Sequence, residues 1–200
     1  MNLNNNENFS KEAYLGFDIS TTCIGISIFD KAGNLSEVMH LVLKNDKDVL
    51  VENRFLAKGN IFKSYIQKFK DFKVLGIFIE EPLQSSSNIF TAALLLKFNG
   101  ICSYLLYHEL QVIPKFISVY DVRKILCPEL IKSDKKGKET LSFGKDVDKK
   151  EYIYKKISYK FPNIPWITNR DGNFSKYNYD MSDAIAVGYA SLIKQELISI

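Results

Sequence analysis

Apolar residues follow two rhythms along this chain. Over residues 14–30, YLGFDISTTCIGISIFD, apolar and β-branched side chains dominate and break only at Ser20 to Thr22, which predicts two strands joined by a tight turn. A turn at Lys31-Ala-Gly-Asn34 leads into a third predicted strand over 35–43, giving an antiparallel meander. The period then lengthens. Over 46–69, Phe62, Tyr65, Ile66 and Phe69 fall at i, i+3, i+4 and i+7, the spacing of one helix face. The run KVLGIFI (73–79) predicts a buried strand ending in Glu80-Glu81-Pro82, and a second helix over 89–110 carries Leu94, Phe98, Ile101 and Leu105 as its core stripe. A strand near 112–119, a short helix at 120–126, a basic helix at 147–160 and a last helix over 181–196 complete the prediction. Proline and glycine break any period in 127–146 and 161–179, so both segments are expected to be loops.

The order β-β-β-α-β-α-β-α-α-α predicts an α/β fold. Three antiparallel strands and then two parallel ones form a mixed sheet with helices on both faces. That is the order of an RNase H-like domain, expected here over residues 14–200. The opening MNLNNNENFSKEA (1–13) is polar and Asn-rich, and is expected to be a disordered tail; it has neither the basic start nor the apolar run of a signal peptide. No run of about 18 uninterrupted apolar residues suggests a membrane span. The expectation is a cytoplasmic protein.

Composition narrows the chemistry. Hydrophobic residues at 46% and charged residues at 25% describe a globular chain. Cys23, Cys102 and Cys127 are widely spaced and form no C-x-x-C pair, which disfavours a zinc site or a disulfide framework. His40 and His108 stand alone and are read as structural. The net charge is only +4, yet the basic residues other than Arg54, Arg123 and Arg170 are all lysines, a surface compatible with phosphate.

Four acids stand out against this background. Asp18 interrupts the apolar strand Leu15-Gly-Phe-Asp-Ile, where a carboxylate costs several kcal/mol unless it is paired or binds a cation; the bland alternative is an Asp capping the following turn. Glu80 ends another buried-type strand, and Glu81 beside it should point the opposite way; a solvated strand end is the alternative, and a shift of one residue in register would exchange the two. Asp180 and Asp183, at i and i+3, project from one side of the last helix as it begins, with helix capping as the alternative. Brought together, four carboxylates repel one another and raise their own pKa values unless cations sit among them. Hard divalent ions such as Mg²⁺ take oxygen ligands, with Mn²⁺ served by the same set. Two such ions, roughly 3.5–4 Å apart, activate water and stabilise the leaving oxygen in phosphodiester cleavage. The basic helix VDKKEYIYKKISYK adds Lys149, Lys150, Lys155, Lys156 and Lys160 among Tyr152, Tyr154 and Tyr159; lysine neutralises phosphate and tyrosine lies against sugar or base, unless the helix is simply a solvated one with its aromatic side in the core.

At these residues the sequence resembles the RuvC family of Holliday-junction resolvases, the crossover junction endodeoxyribonucleases. The matching pieces are GFDISTTCIGISI (16–28), FIEEPLQSSSNIFTAALLLKFNG (78–100), ISVYDVRKIL (117–126) and DMSDAIAVGYA (180–190), in family order. The lysine-rich, AT-biased composition suits a phage or viral member, which would act in the host cytoplasm. The resemblance implies metal ligation by Asp18, Glu80, Asp180 and Asp183, a lysine at Lys149 or Lys150 near the scissile phosphate, and a homodimer that places paired nicks across a four-way DNA junction. The basic helix extends the expected DNA contacts to Lys155 and Lys156. The aromatic wedge that bacterial members place three residues after the catalytic Glu falls on Leu83 here, with Phe90 as a substitute. A nuclease of the same fold acting on flaps, other branched DNA or RNA is the alternative. An actin-like nucleotide-binding protein shares the opening G-x-D-x-x-T-T pattern, but the chain lacks the length and glycines of that class and has no P-loop.

Overall fold

The computed structural model of the chain describes residues 11–44, 50, 53–82 and 89–199. β1 (Lys11–Ile19), β2 (Cys23–Asp30) and β3 (Leu35–Val42) form the antiparallel meander. Helix α1 (Arg54–Ile66), lengthened by a 3-10 turn, leads to β4 (Phe72–Glu80), and α2 (Ile89–Leu110) leads to β5 (Lys115–Ile117). The five strands lie in the order β3-β2-β1-β4-β5, with β1–β4 and β4–β5 parallel. The mixed sheet is therefore as expected, with β1 at its centre.

Strand alternation sends side chains to two cores. Leu15, Phe17, Ile19, Ile24, Ile26, Ile77 and Ile79 face Phe62 and Ile66 of α1 and Phe98, Cys102 and Leu106 of α2. On the other face Phe29 and Phe78 pack with α3 (Val119–Leu126), α4 (Lys149–Lys160) and α5 (Tyr177–Lys194). Here small residues let α5 lie almost on the strands. A Cβ on Gly16 would stand 2.8 Å from the Ala184 carbonyl, and one on Gly25 would stand 1.9 Å from the Asp180 carbonyl. Ser27 Oγ donates to the Ala184 carbonyl at 2.8 Å, so a helix carbonyl is bonded directly to the sheet.

Several boundaries differ from the prediction, each for a physical reason. β1 starts at Lys11, inside the expected tail, because Lys11 to Ala13 pair in parallel with Phe72 to Val74; residues 1–10 lie outside the described residues. β5 is shorter than 112–119, since Pro114 has no N–H to give to a ladder. The expected loop 127–146 contains a small hairpin, β6 (Ile131–Ser133) and β7 (Glu139–Leu141), closed by Asp134, whose side chain accepts from the N–H groups of Lys136 and Lys138 at 2.8 and 2.9 Å. The basic helix begins at Lys149 rather than 147 because Asp148 caps it, accepting from Lys150 N and Glu151 N at 2.8 and 3.2 Å. α5 begins one turn before 181: buried Asn178 accepts from Ile167 N at 2.9 Å and donates to Ile167 O at 2.8 Å, pinning the preceding loop to the first turn. One helix also exceeds the sequence reading. By length and composition α2 is apolar enough to cross a membrane, although here its inner face packs into the core and leaves Ile89, Phe90, Leu94 and Tyr104 exposed.

Candidate active site

β1 and β4 run parallel with Phe17 opposite Ile79, so the next residues, Asp18 and Glu80, emerge side by side at the strand ends. Phe17 and Ile79 go into the α1/α2 core, so alternation turns both acids towards α5. The glycines of the sheet let α5 approach until Asp180 and Asp183 look into the same cleft. All four carboxylates line this cleft of about 270 Å³, and Lys149, Lys150 and Arg123 line it with them.

The placement removes two of the bland alternatives. Asp180 is not an N-cap, since α5 starts at Tyr177 and its cap, Lys176, makes no side-chain capping bond. Glu80 is not a solvated terminus: it faces the cleft, while Glu81 is exposed and continues the ladder by donating from its N–H to Ile117 O at 2.8 Å.

Electrostatics mark the cluster as a site under strain. Burial pushes Asp18 well above the usual carboxylate range, and the charges of Asp183, Glu80 and Asp180 push it further. Glu80 is pushed up to about 7 by burial and by Asp183, against the pull of Arg123 and Lys150. Asp183 rises to about 6, mainly through burial; Lys150 and Arg123 restrain the rise and Asp180 adds to it. Lys150 Nζ stands 3.9 Å from Asp183 Oδ2, a long ion pair that leaves most of the lysine in solvent. Strongly raised carboxylate pKa values in a cleft are the usual signature of a functional site, and an all-oxygen donor set of this kind suits Mg²⁺ or Mn²⁺. Among the described residues no three acidic, His or Cys side chains already stand as a closed metal shell, so a cation would have to draw these carboxylates inward.

The other predicted contacts are placed elsewhere. Lys155 pairs with Glu151 at 2.7 Å and Lys156 with Glu129, and neither lines the cleft. Tyr152 donates to Glu129 at 2.6 Å, Tyr154 packs in an aromatic cluster with Trp166, Phe174 and Tyr179, and Tyr159 is 91% exposed. Phe90 is exposed on the first turn of α2; Leu83 lies outside the described residues. Sequence reasoning missed Arg123 and Asn99, both cleft residues. Arg123 had no local signal. Asn99, only 4% exposed, had a weak one, as a polar residue next to Phe98 on the predicted core stripe of α2. A second groove, lined by Cys23, Lys176, Tyr177 and Tyr179, adjoins the first through Lys150 and Asp180, with Tyr177 stacked on His40 at 4.7 Å.

No family model matches the chain, and no curated protein matches its sequence. Solved structures do match. The structure of RuvC from T. thermophilus in complex with a Holliday junction substrate superposes with a TM-score of 0.60 at 11% identity, covering 93% of this chain and 96% of that one. A second Thermus thermophilus RuvC structure gives 0.56, again at 11% identity, over 92% and 96%. At this identity the likeness is one of fold: the chain has the RuvC-type, RNase H-like α/β architecture over nearly its whole length.

Proposed function

We propose that the protein is a divalent-metal-dependent endonuclease that cleaves branched DNA, with the four-way junction as its main substrate. One observation carries the reading: Asp18, Glu80, Asp180 and Asp183 share a cleft that Arg123, Lys149 and Lys150 also line. Acids of a structural network would be neutralised by salt bridges, yet Lys150 is the one cation within ion-pair distance of any of the four among the described residues, at 3.9 Å. The fold-level likeness to RuvC favours the nuclease class, and the junction held by one of those structures suggests the substrate.

The residues divide the work by their chemistry. Asp18 and Glu80, on rigid strand ends, and Asp180 and Asp183, on α5, would hold Mg²⁺ or Mn²⁺ through oxygen. A pair of such ions supplies an activated water and charge stabilisation for the leaving 3′ oxygen. Lys150 and Lys149, at the start of α4, face incoming phosphate, and the N-cap bonds of Asp148 fix the turn that presents them. Lys155 and Lys156, on the same helix, would guide more distant phosphates by charge. Paired nicks require two such clefts. The exposed apolar face of α2, with Ile89, Phe90, Leu94 and Tyr104, suits a second copy of this chain.

Cleavage decides the matter. Wild type and Asp183→Asn are incubated with labelled four-way junction, linear duplex and single-strand flap in Mg²⁺. Paired nicks on the junction that vanish in the variant are expected. Equal cutting of the flap would widen the activity to a general branch nuclease, and no cleavage of any substrate in Mg²⁺ or Mn²⁺ would overturn the proposal.

A further inference from the structure

We propose that Arg123 is the residue that grips the non-bridging oxygens of the scissile phosphate, holding the phosphodiester in the cleft beside the carboxylates. The inference rests on the nuclease reading and names the group that contacts substrate. Arg123 projects from α3 into the cleft. Its neighbours on that helix are already engaged: Asp121 is held by Lys194 at 2.7 Å and by Ser118 at 2.8 Å, and Lys124 pairs with Glu139. Arg123 itself forms no ion pair among the described residues, although four acids share its cleft.

A guanidinium that served only as counter-ion to the cluster would close onto a carboxylate. This one is braced instead against Phe143, its Cζ 5.7 Å from the ring centre, with Lys149 Nζ at the same distance from the same ring. Its charge is still felt at Glu80 and Asp183, the two acids it helps to keep from rising further. An arginine whose fork makes no hydrogen bond or ion pair among the described residues, in a cleft shared with four acids, has the geometry to take a phosphate whose far oxygens meet the cations those acids would hold.

The residue type supports the assignment. The chain has only three arginines against many lysines, and one of the three is in this cleft. Lysine offers a point charge, whereas the planar guanidinium offers two parallel N–H groups that match two phosphate oxygens. Lys149 and Lys150 steer the strand by charge, and Arg123 fixes the orientation of the reacting phosphate.

The test compares wild type, Arg123→Lys and Arg123→Ala in junction cleavage, with melting curves to establish folding. We expect Arg123→Ala to fold, melting a little below wild type because Glu80 and Asp183 lose a nearby cation, and to lose on the order of 10²-fold in kcat/KM, the usual cost of removing one preorganised donor at a developing charge. Arg123→Lys should recover only part of this. Added guanidinium ion should restore Arg123→Ala and leave Arg123→Lys little changed, while raising Mn²⁺ should restore neither. Activity of Arg123→Ala within about twofold of wild type would overturn the proposal. So would a loss that guanidinium leaves untouched, or one cured by more Mn²⁺, which would make Arg123 a counter-ion of the metal site. Inert wild type would instead sink the nuclease reading, and this inference with it.

Discussion

Replacing Glu80 by Gln should stabilise the metal-free protein, and by an amount that depends on pH. Glu80 titrates near 4.5 when unfolded and at about 7 in the folded cleft, where burial and Asp183 oppose its charge. At 1.36 kcal/mol per pKa unit the native carboxylate costs about 3 kcal/mol once fully ionised. Asp18 and Asp183 titrate with it, so about 2–3 kcal/mol is the figure to test. The folded state binds the proton more tightly than the unfolded chain, so stability falls as pH rises from 4.5 to 7 and stays low above that. Gln carries no charge and removes this slope. For a chain of this length each kcal/mol moves Tm by about 2–4 °C, so Glu80→Gln should melt roughly 5–10 °C above wild type at pH 8 in EDTA. The gain should shrink towards zero as pH falls to 4.5. Mg²⁺ should close the gap, since only wild type retains the full ligand set, and 100 Kd of ligand is worth about 2.7 kcal/mol, the size of the gain itself. Differential scanning calorimetry at several pH values reads all of this. A variant that melts at or below wild type in EDTA at pH 8, or a gain independent of pH, would refute the reasoning.

Three further outcomes follow from the same geometry. Gly25→Ala should cost about 1–3 kcal/mol, read as a lowered Tm, and should also depress junction cleavage, because its Cβ would drive against the Asp180 carbonyl, 1.9 Å away, and push α5 off the sheet. Lys150→Gln should leave folding intact and reduce kcat more than about tenfold, and by removing the cation nearest Asp183 it should lower that residue's pKa less well, so the acid limb of the pH–rate profile should move up. If the proposed dimer forms through the exposed face of α2, wild type should sediment as a dimer and Leu94→Asp as a monomer, with a stability loss of no more than about 1 kcal/mol and with paired nicking replaced by single nicks.

How much was legible in the sequence depended on where each signal was written. Asp18 and Glu80 stood out because an acid in or at the end of a buried apolar strand is costly; the face each takes comes from the pairing of β1 with β4. Asp180 and Asp183 could be paired by helical spacing, but the helix start could not be placed. The turn from Tyr177 is held by the tertiary bonds of Asn178 to Ile167, and its polar and aromatic residues carry no apolar period. The basic helix was visible as a helix, whereas periodicity could not tell Lys149 and Lys150, which reach the cleft, from Lys155 and Lys156, which find Glu151 and Glu129. Arg123 was invisible because a cation in a short amphipathic helix is ordinarily solvated; only the packing of α3 against α5 and α4 turns it into the site. The hairpin of β6 and β7 was hidden for a similar reason, since three-residue strands are too short for any period to show.

The central claim is that these four carboxylates bind divalent cations, and a Mn²⁺ titration followed by electron paramagnetic resonance tests it most directly. Free Mn²⁺ gives a strong solution signal that binding suppresses. With wild type the signal should stay suppressed until about two ions per chain are bound, as a two-metal site requires. Asp18→Asn, folded by its melting curve, should bind markedly fewer or weaker. A wild-type titration that matches buffer alone, or equal binding by wild type and Asp18→Asn, would contradict the account.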